Sequence, residues 1–210
     1  MTDAAPEGGL DPGLEALVRL SATLARGVDA ELGPAVDAAA GQADPEEVEE
    51  ALLQSYLFLG YPAALTGIAL WRERTGHGPP VDRREDPAGW EERGERVCRE
   101  VYGDAYEGLR NNIAELRPEM DRWMVWEGYG KVLGRPGLAL WRRECCIVAM
   151  LAVLGAGPQL RSHLRGALRT GADVPLVAAV LSRILPLVPE PRRPTVERVW
   201  TRVVERWEDG

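Results

Sequence analysis

The chain reads as all-α. Apolar residues recur at three- and four-residue spacing along most of its 210 residues, the period of a helix with one buried face. Strand patterns are scarce, because β-branched and aromatic residues seldom alternate with polar ones. Strong helix punctuation divides the sequence into helix-length pieces.

From Leu14 the apolar positions Leu17, Val18, Leu20, Leu24 and Ala25 predict a helix that stops at Gly27. A second, short helix is expected at about 30–40. Asp44-Pro45-Glu46-Glu47 is the strongest start in the chain: an N-cap Asp, Pro at the first helical position, and acids facing the helix dipole. Its helix runs through ALLQSYLFLG and breaks near Gly60-Tyr61-Pro62, with a further helix over 63–73. Tyr56, Gly60, Tyr61 and Pro62 are read as shaping a break that packs between subunits. Residues from Arg74 to about Gly94 form a long loop or linker that holds His77, read as solvated. Helices follow at about 95–101, 106–115 and 118–132. The turn over 134–137 leads into two core helices, the first over the run from Cys145 and the second holding His163. A last amphipathic helix starts at Thr195.

Composition is that of an ordinary globular chain, 45% hydrophobic and 28% charged. With one Phe and seven Trp, large core volumes must come from Leu, Val, Ala and Trp. A net charge of −8, with Lys and Arg interspersed among acids, excludes a phosphate-binding stripe and so nucleic acid as a partner. The longest apolar run, from Cys145 to Gly157, is far short of a bilayer span, so no membrane is expected. The N-terminus MTDAAPEGGLDPG lacks a basic segment followed by an apolar one, so no leader is expected. Three cysteines, two of them adjacent, make a poor disulfide framework. A cytoplasmic location follows. No metal cluster, phosphate-cradling glycine loop or nucleophile elbow is present, so no cofactor or metal is expected.

The chain carries an internal repeat. LVRLSATLARGVDAEL (17–32) lies over CCIVAMLAVLGAGPQL (145–160) without a gap. After a one-residue slip, ADPEEVEEALLQ (43–54) lies over ADVPLVAAVLSR (172–183). The organisation read from it is an N-terminal helical repeat over 1–73, a linker over 74–94 and a second repeat over 95–210. At the place of His163 the first copy has Pro34 or Ala35, depending on where the slip falls.

Three segments carry a family resemblance: RGERVCREVYGDAY, WEGYGKVLGRPGL, and WRRECCIVAMLAVLGAGPQLRSHLRGALRTGA, with an acid before the apolar helix and a histidine after it. In the first half, DPEEVEEALLQSYLFLGYPAAL adds a capped helix ending in Tyr-x-Gly-x-Pro-Ala-Ala form, degraded in the second half. Together they resemble the carboxymuconolactone decarboxylase family, which includes the AhpD-like alkylhydroperoxidases. The resemblance implies an AhpD-like all-α bundle of helical hairpins and a homo-oligomer (dimer, trimer or hexamer). Peroxidase members carry a Cys-x-x-Cys pair four residues before the histidine. Here that pair would fall at Ala156 and Gln159, so thiol peroxidase chemistry is not expected. Cys145 and Cys146 point about 100° apart on a helix and are read as core. Cys98 is read as structural.

The non-redox branch implies a cofactor-independent lyase acting on a small carboxylated lactone or keto acid. His163 would return a proton to carbon, its ordinary pKa lying near neutrality. Glu144 would tune it. Arg142, Arg161 or Arg135 would hold the substrate carboxylate, and Trp126 and Tyr129 would wall a pocket. Trp123, Trp126 and Tyr129 are spaced for one helical face. If the two core helices pair antiparallel, Glu144 lies five or six residues beyond the point facing His163, about 8–9 Å at ~1.5 Å per residue. Communication through water or across a subunit interface is therefore expected rather than direct contact. The alternative is a non-catalytic oligomeric scaffold or ligand sensor that has kept the fold.

Overall fold

The computed structural model describes residues 10–80 and 86–208. The N-terminal nine residues, and residues 81–85 of the expected loop, lie outside it. All regular structure among the described residues is helical, as the apolar periodicity requires. The chain divides into two compact units, Met1–Pro79 with Gly137–Gly210, and Pro80–Pro136. This partition by contact differs from the halves read from the repeat, since helices from both halves share the first unit.

In the first unit, α1 (Pro12–Arg26) is capped by Asp11, whose side chain accepts from the Leu14 N–H, and ends on Gly27 at φ 66°. A left-handed residue is cheapest as glycine, which has no Cβ to clash. α2 (Asp29–Gln42) buries Leu32, Val36 and Ala39. α3 (Pro45–Gln54) starts on Asp44, which accepts from Glu46 N–H. α4 (Tyr56–Thr75) is interrupted at Gly60, φ 79° and ψ 166°, at the break the sequence predicted. No single helix here is long and apolar enough to cross a membrane, although α3 and α4, bent by 117°, pass that test as a pair by length and composition.

The same unit continues with α8 (Leu140–Leu154), α9 (Gly157–Arg169), α10 (Val174–Ile184) and α11 (Arg193–Glu208). α8 is the centre of the core: every residue from Arg143 to Val153 is buried, and α1, α9, α10 and α4 pack around it. Cys145 and Cys146 are 1% and 0% exposed, as expected of core residues.

The repeat is visible in the element boundaries. One sequence offset carries Pro12 to Leu140, Gly27 to Gly155 and Asp29 to Gly157, so α1–α2 and α8–α9 are matching hairpins, each turning on a left-handed glycine. The slip falls after the second helix, where Gly171 is inserted before the Asp173 cap that corresponds to Asp44. Ala35, rather than Pro34, therefore stands at the place of His163. A second correspondence is side-chain deep. Arg143 on α8 reaches Gln54 and Glu50 on α3, and the equivalent Glu15 on α1 pairs with Arg183 on α10 at 3.4 Å.

In the second unit, α5 (Trp90–Tyr102), α6 (Tyr106–Leu116) and α7 (Pro118–Trp123) precede a π-helical segment, Met124–Leu133. The segment was expected to continue as α-helix. Instead Gly134 N–H donates to Tyr129 O at 2.8 Å, five residues back, the signature of a wider turn. Glycines explain how it packs. A Cβ on Gly94 would lie 2.1 Å from the Val125 carbonyl oxygen, and one on Gly130 would lie 2.0 Å from that of Trp90. α5 and the π segment thus touch backbone to backbone, and Arg93 Nε donates to Gly130 O at 2.6 Å.

Candidate functional site

The turn between α8 and α9 sets the site. Gly155 ends α8 at φ 72°, and Pro158 opens α9, where its missing N–H costs nothing. α9 is amphipathic. Its inward stripe is Leu160, His163, Leu164, Ala167 and Leu168, the spacing of a helix face pressed on a core. His163 therefore occupies a core-facing position and is only 6% exposed. Glu144, near the start of α8, is fully buried.

The two side chains meet directly, with His163 Nδ1 2.8 Å from Glu144 Oε2. This corrects the expected separation. The sequence estimate counted helix rise between Cα positions, whereas a glutamate and a histidine each extend several ångströms from the backbone. The contact lies within one chain and needs neither a water nor a second subunit. With Glu144 as a carboxylate, which only accepts, Nδ1 would carry the hydrogen; the ring's other nitrogen, Nε2, is the one oriented away from Glu144. Glu144 Oε1 is buried and has no hydrogen-bond partner among the described residues. Leaving a carboxylate oxygen unpaired in the interior costs about 1–3 kcal/mol, so this oxygen is an unsatisfied acceptor beside the histidine.

Phe58 stands edge-on to His163, ring centroids 5.7 Å apart at 85°. It belongs to the short turn before the Gly60 break, and that break lets α4 present it. Sequence reading passed over Phe58. The available signal was compositional: it is the single phenylalanine of the chain.

Next to Glu144, Arg143 is 0% exposed. It donates to Glu50 Oε2 at 2.9 Å, to Gln54 Oε1 at 3.3 Å and to the Leu138 carbonyl at 3.1 Å. Glu50 and Gln54 are polar residues one turn apart on the buried face of α3, and that misplacement was the overlooked signal.

The other expected residues are scattered. Arg142 is tied to Asp11 at 3.1 Å and to Glu47 at 3.2 Å, so its guanidinium already has two carboxylates. Arg161 is exposed. It sits two residues from His163, which on a helix places it on the opposite face. Arg135, half-buried, belongs to the second unit with Trp126 and Tyr129. There the π geometry breaks the expected common face. Trp123 and Trp126 are 55% and 39% exposed while Tyr129 is buried. Tyr129 pairs with the hydroxyl of Tyr102 at 3.0 Å, and Trp126 packs edge-on to Trp90 at 5.0 Å. His77 is exposed as expected, but stacks on Trp71 at 5.5 Å.

Burial pushes the Cys145 thiol well above its ordinary range and that of Cys146 to about 11. Neither is a ready nucleophile. Among the described residues no three His, Cys, Asp or Glu side chains gather as a metal site. Among the described residues, grooves open on the first unit. The larger, about 460 Å³, lies along α1 and α2 and the smaller, about 180 Å³, between α1, α2 and α4. Neither is lined by His163 or Glu144. Comparison with protein-family models and with curated proteins finds no match for the chain.

Proposed function

We propose that this chain is a carboxymuconolactone decarboxylase-like lyase, working without a cofactor on a small carboxylated lactone or keto acid. The observation that carries the reading is the buried Glu144–His163 pair at 2.8 Å. In the proposed reaction the bond between the carboxylate carbon and its neighbour breaks, CO2 leaves, and the electron pair passes into an enolate. Imidazolium His163 then gives its Nε2 proton to carbon. Glu144 fixes the ring's tautomer and offsets its positive charge, the positioning role a carboxylate plays beside a catalytic histidine.

Of the arginines weighed as carboxylate clamps, Arg142 is the weakest choice, since a substrate would compete with Asp11 and Glu47. The proposal also carries homo-oligomeric assembly, which light scattering on the purified protein would measure. The test of chemistry is CO2 release from a panel of γ-carboxylated lactones and β-keto acids, with His163→Ala and Glu144→Gln beside the native protein. Loss of a general acid lowers turnover about 10²–10⁴-fold; equal turnover in His163→Ala removes His163 from the mechanism.

A second reading is a non-catalytic scaffold or ligand sensor on the same fold. It is favoured by the 6% exposure of His163. Absence of CO2 release from every compound in the panel would move the weight to it.

A further inference from the structure

The larger groove occupies a telling place in the repeat. The offset that superimposes α1–α2 on α8–α9 carries Glu144 to Ala16 and His163 to Ala35, and both alanines line the groove. In one hairpin two long side chains meet at 2.8 Å and fill the space between the helices. In the other the same two positions carry methyl groups, and the space stays open at about 460 Å³, within the range of small-molecule sites. Ala30, Ala38 and Leu187 extend its apolar wall.

Its charges are arranged unevenly. Glu15 is paired with Arg183, and Arg26 with Glu31 at 2.5 Å. Arg19 also lines the groove, at the place where the other hairpin has the buried Ile147. Among the described residues it has no ion-pair or hydrogen-bond partner. The groove thus combines an apolar wall with one uncommitted cation whose five donors suit a carboxylate.

We propose that the α1–α2 groove is a second ligand site, which binds a small carboxylate with an apolar body through Arg19 and does no chemistry on it. With methyl groups at Ala16 and Ala35 it lacks a counterpart of the Glu144–His163 pair, and its two glutamates, Glu15 and Glu31, are ion-paired, so it acts as a binding site only. This does not depend on the dyad being catalytic.

The test is an NMR chemical-shift titration of the full chain with octanoate, and with octanol as the uncharged analogue. Saturable shifts confined to α1, α2 and the segment around Leu187 are expected. Arg19→Gln should weaken octanoate at least about tenfold, the usual loss for a hydrogen bond to a charged group, and leave octanol unchanged. Ala35→Trp, which fills the groove, should abolish both. His163→Ala should bind octanoate as the native protein does, and this separates the site from the dyad whatever the dyad's activity. Absence of saturable shifts at millimolar octanoate overturns the proposal. So does native-like binding by both Arg19→Gln and Ala35→Trp, or loss of binding in His163→Ala.

Discussion

Arg143 offers the sharpest test of how the first unit holds together. Its guanidinium is fully buried and spends its donors on Glu50, Gln54 and the Leu138 carbonyl at 2.9–3.3 Å. Arg143→Met keeps most of the side-chain volume but takes the cation from Glu50, a residue 6% exposed. Breaking a buried pair from one side costs about 3–5 kcal/mol, because a charge is left in the interior. For a chain of this size each kcal/mol lowers Tm by about 2–4 °C, so a fall of about 6–20 °C is expected. The double substitution Arg143→Met with Glu50→Leu removes both charges and should recover most of that loss, since an apolar pair of similar volume needs no desolvation. Urea unfolding followed by far-UV circular dichroism measures all four corners of the cycle at constant m. The reasoning fails if Arg143→Met costs less than about 1 kcal/mol, or if the double variant is no more stable than the sum of the singles.

Further outcomes follow from packing and burial. Gly94→Ala would put a Cβ 2.1 Å from a backbone oxygen, and a backbone cannot swing away, so a loss of about 3 kcal/mol or more is expected. Gly108→Ala, in the first turn of α6 and facing open space, should be neutral or gain up to about 1 kcal/mol in the same urea unfolding. Native protein should react slowly with iodoacetamide at neutral pH and rapidly in urea, because all three cysteines are buried. The Cys146 thiol rises from an ordinary 9.0 to about 11 on burial, so the folded chain holds that proton more tightly than the unfolded chain. Its contribution to stability is complete below pH 9 and is lost as pH rises towards 11. Urea midpoints across that interval should fall; a rise would contradict the sign.

Much of the architecture could be read in advance because its causes are local. Asp44-Pro45 starts α3 through an oxygen two residues from the N–H it accepts, and Gly27 and Gly155 end their helices through their own left-handed dihedrals. The internal repeat was also legible, and the Gly171 insertion settled its register. The π segment was not. It packs backbone to backbone against α5 at Gly94 and Gly130, and apolar spacing written for 3.6 residues per turn cannot register a wider turn. The site was half legible. His163 and Glu144 were singled out through the family resemblance, with an acid before the apolar helix and a histidine after it, but their direct contact was missed because residue counts give helix rise and omit side-chain reach.

Helix starts, helix ends, the all-α class and the repeated hairpin were thus determined by the sequence itself, since each depends on a residue's own dihedrals or on neighbours within a few positions. Tertiary structure decided which charges are spent. It tied Arg142 to Asp11 and Glu47, buried Arg143 against Glu50, and left Arg19 without a partner among the described residues, beside an open groove. Such partners lie dozens of residues apart in the chain. They are chosen by which helix faces the core brings together, a quantity that no local spacing encodes.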